Sequence, residues 1–154
     1  MSYEVVKWLH ILSSTVLFGT GLGSAYYMFF TSLGGDARTV AHVARLVVVA
    51  DWVFTTTSIV FQPLSGLYLA HLAGLPLTTP WIWWTVILYV VAGACWIPVV
   101  FIQIRMRRLA ERAASENARL PHEFLRLFRW WTALGVPAFV SLVVVFWLMV
   151  AKPM

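Results

Sequence analysis

The sequence predicts an all-α integral membrane protein, a bundle of four spanning helices, from two observations. The chain is 61% hydrophobic and only 11% charged, with a mean hydropathy of +0.83, whereas soluble domains average about 25% charged residues. It also contains four apolar segments that could each cross a hydrocarbon core of about 30 Å, for which a helix needs about 20 residues. The 154 residues leave room for this single transmembrane domain and no appended soluble domain.

The four predicted spans cover about 5–32, 40–72, 81–104 and 128–151. The first lacks the pattern of a cleavable secretory signal, so we expect it to stay in the mature protein. The second is too long to stand upright and contains Pro63. Because proline removes a backbone hydrogen bond and crowds the preceding turn, we expect a kink or tilt near Phe61–Pro63. The third contains no charged residue.

The basic residues predict how the spans are oriented. Nine of the eleven lie in or next to the first and third connectors, the latter forming a basic segment over 105–127, while Lys7 and Lys152 lie at the termini. The nine are Arg38, Arg45, Arg105, Arg107, Arg108, Arg112, Arg119, Arg126 and Arg129. Positive connectors stay on the cytoplasmic side, so both termini should be periplasmic in a bacterial inner membrane. The net charge of +5 therefore reflects membrane topology and not nucleic-acid binding.

The sequence lacks several motifs that are typical of soluble enzymes. It contains no phosphate-binding loop, no HExxH pattern and no catalytic triad of the soluble type. Its one cysteine, Cys95, excludes an intramolecular disulfide and a cysteine-rich metal site. Any chemistry should therefore depend on polar groups inside the membrane.

The first span has two distinct faces. At 100° per residue, one face carries a polar and small set that Lys7 borders: His10, Ser14, Gly21, Ser24 and Met28. Gly19 and Gly23 form a small-xxx-small pair on roughly the opposite side, which suits close packing against another helix or subunit. The first span should therefore make two kinds of contact.

The second span carries a polar stripe at helical spacing, composed of Asp51, Thr55, Ser58, Gln62 and Ser65. An intramembrane carboxyl group costs at least about 2.5 kcal/mol on insertion scales, so Asp51 should face the bundle interior and a partner. Two interpretations of Asp51 remain open. It is either a hydrogen-bonded group that joins two helices or a proton-handling group.

His10 is the strongest candidate ligand among the four histidines. Neutral imidazole is a good axial ligand of haem iron, and helix bundles commonly hold cofactors between facing helices. Met149 of the fourth span should lie at a comparable depth, and His71 ends the second span on the same side, so both are candidate second ligands. The alternative for His10 is an interfacial histidine without a ligand.

Several motifs resemble a known family. They are KWLHI near the start, ADWVFTTTSIVFQPLSGLYLA in the second span, WIWW and WIPVVFIQIRM in the third, and RLFRWW and LMVAKP around the fourth. Over nearly its full length the chain resembles an uncharacterised bacterial family of predicted four-span integral membrane proteins. That resemblance implies the fold and the location, but no activity.

A more distant resemblance is to the HemJ-type protoporphyrinogen oxidases, which are small four-helix membrane proteins that bind haem b. Lys7 and His10 match their first-helix K-x-x-H motif, and Lys152 and Pro153 match the end of their fourth helix. The resemblance implies that His10 binds haem. The essential lysine of that family in helix three is absent here, where the chain reads WIWWT from Trp81, which argues against porphyrinogen oxidation.

The leading hypothesis is therefore an inner-membrane b-type haem protein with a redox or electron-transfer role, and His10 as the metal ligand. A redox partner or a homo-oligomer would accompany it in the lipid bilayer. The first rival is a non-catalytic membrane subunit that packs through Gly19 and Gly23. The second rival is a proton-coupled carrier that uses Asp51.

Overall fold

A computed structural model describes residues 2–153, and its regular elements are all helical. The helices are α1 (Tyr3–Gly34), α2 (Ala37–Ala50), α3 (Thr56–Leu72), α4 (Pro80–Ser115) and α5 (His122–Ala151). A π-helical segment, Asp51–Thr55, joins α2 to α3 without a break, so the two form one span. Four helices are thus long and apolar enough to cross a membrane. The predicted all-α, four-span fold class is confirmed.

The spans alternate in direction, so both termini and the connection 73–79 share one end, called here the terminal end. The connections 35–36 and 116–121 share the other, called here the connector end. Helix α4 continues as a regular helix through the arginine-rich sequence as far as Ser115. Which end faces the cytoplasm stays a prediction from the distribution of positive charge.

The first connection is only two residues long, and both have a defined role. Gly35 adopts a φ of +72° after the last residue of α1, a left-handed conformation that suits glycine. Asp36 then begins α2, where its carboxylate accepts the backbone N–H of Thr39 at 2.9 Å and also the Thr39 hydroxyl group. These two hydrogen bonds lower the pKa of Asp36 below its ordinary value.

The apolar core lies in the connector half of the bundle. Its members come from all four spans: Met28, Val40, Ala44, Val47, Val99, Met106, Ala110, Phe124 and Trp131. Polar contacts reinforce this end, because Arg105 binds Glu123 between α4 and α5 and Arg38 donates to Asn117 from the start of α2. The connector half is therefore the tightly packed part of the molecule.

In the terminal half the spans associate more as pairs. Helix α1 packs on α3 and α4 packs on α5, whereas α1 and α5 approach each other at few positions. Phe18 supplies a main link between α1 and α5, with its ring centroid 5.3 Å from those of Phe139 and Phe146. This arrangement places a polar seam between α1 and α3.

Pro63 does not interrupt α3, which is helical on both sides of it. The departure from α-helical geometry lies about two turns earlier, at Asp51–Thr55. There the N–H of Thr56 reaches the carbonyl of Asp51, five residues back, and the Thr56 hydroxyl group donates to the same oxygen at 2.9 Å. Such π-helical turns are often found at functional sites.

Candidate functional site

The five members of the polar stripe all point into the bundle. Each is at most 7% exposed: Asp51, Thr55, Ser58, Gln62 and Ser65. The residues between them on the same span, such as Trp52, Val53 and Leu64, are exposed on the outer surface. Since the outer surface of such a bundle faces lipid, the chain directs its polar groups inward and its apolar groups outward. Gln62 and Ser65 of this stripe line the seam between α1 and α3, whereas Asp51 adjoins Gln103 of α4.

His10 lies at the terminal end of this seam and is 8% exposed. Its ring Nδ1 is 2.7 Å from the Ser65 hydroxyl oxygen, and its backbone carbonyl accepts the side-chain N–H of Gln62 at 2.9 Å. A β-carbon placed on Gly66 would lie 3.4 Å from Cε1 of the imidazole. The ring thus lies close against α3 at Gly66, and two side chains of α3 hold His10 in place.

The bonds of Ser65 determine which nitrogen of His10 carries the proton. A hydroxyl group has one hydrogen to donate, and Ser65 Oγ lies 2.7 Å from the carbonyl oxygen of Phe61, which can only accept. The Ser65 hydrogen therefore goes to Phe61, and Nδ1–H of His10 donates to Ser65 Oγ. In the neutral ring this leaves a lone pair on Nε2, which has no hydrogen-bond partner among residues 2–153. An imidazole held in this way can bind a metal ion or accept a proton.

Asp51 begins the π-helical segment near the middle of the second span and is 6% exposed. Its Oδ1 accepts the hydroxyl group of Thr55 at 2.9 Å. The amide group of Gln103, on α4, adjoins the same carboxyl group. Asp51 therefore has one partner on a neighbouring helix, Gln103, and one within its own segment, Thr55.

Gln103 was missed by the sequence reasoning, although it is only 4% exposed. Its Oε1 is a buried acceptor without a donor in the described part of the chain. One signal was available, because Gln103 is the only amide or charged side chain between Trp81 and Ile104. An isolated amide in a charge-free membrane helix usually has a polar partner on another helix.

The two candidate second ligands, His71 and Met149, differ in position. His71 is exposed, and it follows Ser65 by six residues, about 9 Å along α3 and about 120° around it. Met149 is half-buried on α5, a helix that α1 approaches at few positions. Lys7 of the K-x-x-H motif is exposed, with its ammonium group 5.9 Å from the centroid of the Tyr3 ring.

Gly19 and Gly23 do not make a close helix contact within residues 2–153. A β-carbon at either position would meet no atom within 4 Å. Gly19 instead lines an apolar groove of about 460 Å³ between α1 and α5, together with Thr15, Phe18, Val143 and Phe146. His10 does not line this groove. The packing predicted for the two glycines thus stays a prediction about a second molecule.

The chain was compared with known protein families, curated proteins and solved structures. A family model described as "Predicted integral membrane protein (DUF2269)" matches residues 4–153. No curated protein and no solved structure matches the chain. The more distant resemblance to HemJ-type proteins stays a prediction, whereas the predicted family of four-span membrane proteins is confirmed. The chain belongs to the DUF2269 family of predicted integral membrane proteins.

Proposed function

We propose that this protein is a b-type haem protein of the bacterial inner membrane with a redox role, and that His10 is an axial ligand of the haem. The observation that carries the proposal is the state of the His10 ring. Its Nδ1–H donates to Ser65, which leaves the Nε2 lone pair without a partner among residues 2–153, on a residue that is 8% exposed. Histidines that bind metals usually donate their other ring N–H to an oxygen acceptor in this way.

The donor set fits one axial position of a haem. His10 offers a neutral nitrogen ligand, and the surroundings hold its ring orientation through Ser65 and its backbone through Gln62. A second protein ligand from the same chain is not required for this fit. Met149 or a residue of a second molecule is the proposed source if the iron takes six ligands, since His71 lies on another face of α3.

The side chains around His10 would define the properties of the site. A bound haem would supply one-electron chemistry. The hydrogen bond from Nδ1–H to Ser65 raises the electron density on Nε2 and fixes the plane of the ring. Gly66 keeps space for that ring, since a longer side chain would meet Cε1.

The location and orientation form part of the same proposal. With the arginine-rich connector end in the cytoplasm, His10 lies in the periplasmic half of the membrane, about 10 Å along α1 from Tyr3. A redox partner or a second copy of the chain would then reach the site from the periplasmic side. This position suits electron exchange with a periplasmic or membrane-bound partner.

The test is the visible spectrum of the purified protein, expressed with ample haem supply. We expect a Soret band together with α and β bands on reduction. His10→Ala should remove or shift these bands, whereas His42→Ala and His122→Ala, at exposed positions of the connector end, should leave them unchanged. A colourless wild-type protein, or a spectrum unaffected by His10→Ala, would contradict the proposal and favour a packing role.

A further inference from the structure

Asp51 is the one carboxyl group inside the apolar part of the described chain. The other five acidic residues lie at helix ends or connections: Glu4, Asp36, Glu111, Glu116 and Glu123. No charged side chain lies beside the Asp51 carboxyl group within residues 2–153, since the groups that act on it are the Thr55 hydroxyl and the Gln103 amide. Arg45, six residues earlier, is exposed. A carboxyl group in this position has no countercharge.

The neighbouring Gln103 side chain has a carbonyl oxygen that lacks a hydrogen-bond donor among residues 2–153. Its Oε1 is an acceptor that is fully buried and has no donor within the described residues. The Gln103 N–H group donates to the Asp51 carboxyl group, the arrangement that suits a carboxylate, while Oε1 has no donor in this part of the chain. Rotation of the amide group would turn Oε1 toward the carboxyl group, where a proton on Oδ2 would supply the missing hydrogen.

We propose that Asp51 and Gln103 form an intramembrane proton-binding site, which is independent of haem binding at His10. In the protonated state, the Asp51 O–H donates to Gln103 Oε1 while Thr55 donates to Oδ1. When the proton leaves, the Gln103 amide turns so that its N–H group donates to the carboxylate, and Thr55 keeps its bond. Thr55 and Gln103 can thus supply hydrogen-bond partners for the Asp51 carboxyl group in both protonation states.

The backbone around Asp51 also departs from regular α-helical geometry. The site lies in the π-helical segment, where Asp51 N–H bonds both Val47 and Val48 and the next hydrogen bond spans five residues. Such π-helical turns are frequent at functional sites, and this one interrupts the regular hydrogen-bond ladder at the carboxyl group itself.

Infrared spectroscopy of the purified protein in detergent tests the site without reference to haem. A protonated carboxyl group has a C=O stretching band apart from that of a carboxylate, and substitution of single residues identifies the carboxyl group to which a band belongs. We expect one such band in the wild type near neutral pH, its reversible loss at alkaline pH, and its absence from Asp51→Asn. The matched control, Asp36→Asn at the surface connection, should keep the band.

Gln103→Leu provides a second variant in case Asp51→Asn folds poorly. It should keep the band but shift its frequency, because the hydrogen-bond partner of the carboxyl group is lost. The proposal is overturned if the wild type shows no carboxyl band at any pH, if the band persists in Asp51→Asn, or if it never responds to pH. Loss of the band on addition of NaCl at constant pH would identify a sodium site in place of a proton site.

Discussion

The hydroxyl group of Tyr89 on α4 donates a hydrogen bond of 2.7 Å to the backbone carbonyl of Ile59 on α3. Ile59 is the residue whose carbonyl would accept the backbone N–H of position 63 in a regular helix, and Pro63 has no N–H. Tyr89 therefore replaces the hydrogen bond that proline removes. This single side chain both completes α3 and joins it to α4, in the half of the bundle where those helices have few other contacts.

Tyr89→Phe should destabilise the protein by about 1 kcal/mol, the scale of an interhelical hydrogen bond in a membrane. In a Pro63→Ala background the same substitution should cost much less, because residue 63 then donates to Ile59 itself. Reversible unfolding in mixed detergent micelles would measure the four free energies of this double-mutant cycle. Equal costs of Tyr89→Phe in the two backgrounds would show that the tyrosine acts through packing alone.

His10 should be a neutral imidazole that carries its proton on Nδ1. Ser65→Ala removes the acceptor of this proton, so the proton should redistribute between the two ring nitrogens. The substitution should also destabilise the fold by about 1 kcal/mol. Nitrogen-15 NMR of the histidine side chains would report the tautomer. Ser58→Ala is the matched control, since Ser58 is buried on the same stripe without a side-chain hydrogen bond in the described residues. A proton already on Nε2 in the wild type would contradict the hydrogen-bond assignment.

Asp36 should make the start of α2 sensitive to acid. Its folded-state pKa lies below the unfolded value, so its contribution to stability is present above the unfolded pKa and is lost as the pH falls through the folded pKa. Hydrogen exchange at the first turn of α2 should therefore accelerate in strong acid. Asn at position 36 can still cap the helix but does not titrate. In Asp36→Asn, hydrogen exchange at the first turn of α2 should therefore lose this acceleration in acid, whereas Glu116→Gln should behave like the wild type.

The orientation is testable with topology reporters. A reporter fused after Met154 should be active only if it functions in the periplasm, and one inserted near Ser115 only if it functions in the cytoplasm. The reason is the contrast between nine arginines at the connector end and Lys7 and Lys152 at the terminal end. The opposite pattern would place His10 in the cytoplasmic half of the membrane.

The fold was predictable because membrane insertion is governed by length and hydrophobicity, which the sequence displays directly. The inward direction of the polar stripe could also be predicted, since its members recur at helical spacing and polar groups avoid lipid. Helical periodicity needs no knowledge of the neighbouring helix. Asp51, Ser58 and Ser65 could therefore be assigned to one face from the sequence alone.

The hydrogen-bond partners of these residues could not be predicted in the same way, because they depend on how the helices are arranged. Nothing in the sequence joins Ser65 to His10, 55 positions away, or Tyr89 to Ile59. The proline near Phe61 indicated an irregular helix, but the π-helical segment begins at Asp51, where the sequence carries no glycine or proline. Its position is set by contacts with other helices, which periodicity does not describe.

The unequal packing of the two halves has a mechanical consequence. The connector half is held by the dense contacts of Met28, Met106 and Phe124, whereas the terminal half depends more on single directional hydrogen bonds. A bundle built in this way is stiff at one end and compliant at the other. When the bilayer thins or thickens, the helices tilt to match it, and the resulting strain falls first on the bonds of His10 and Tyr89. Lipid composition can thus act on the candidate site without any lipid binding there.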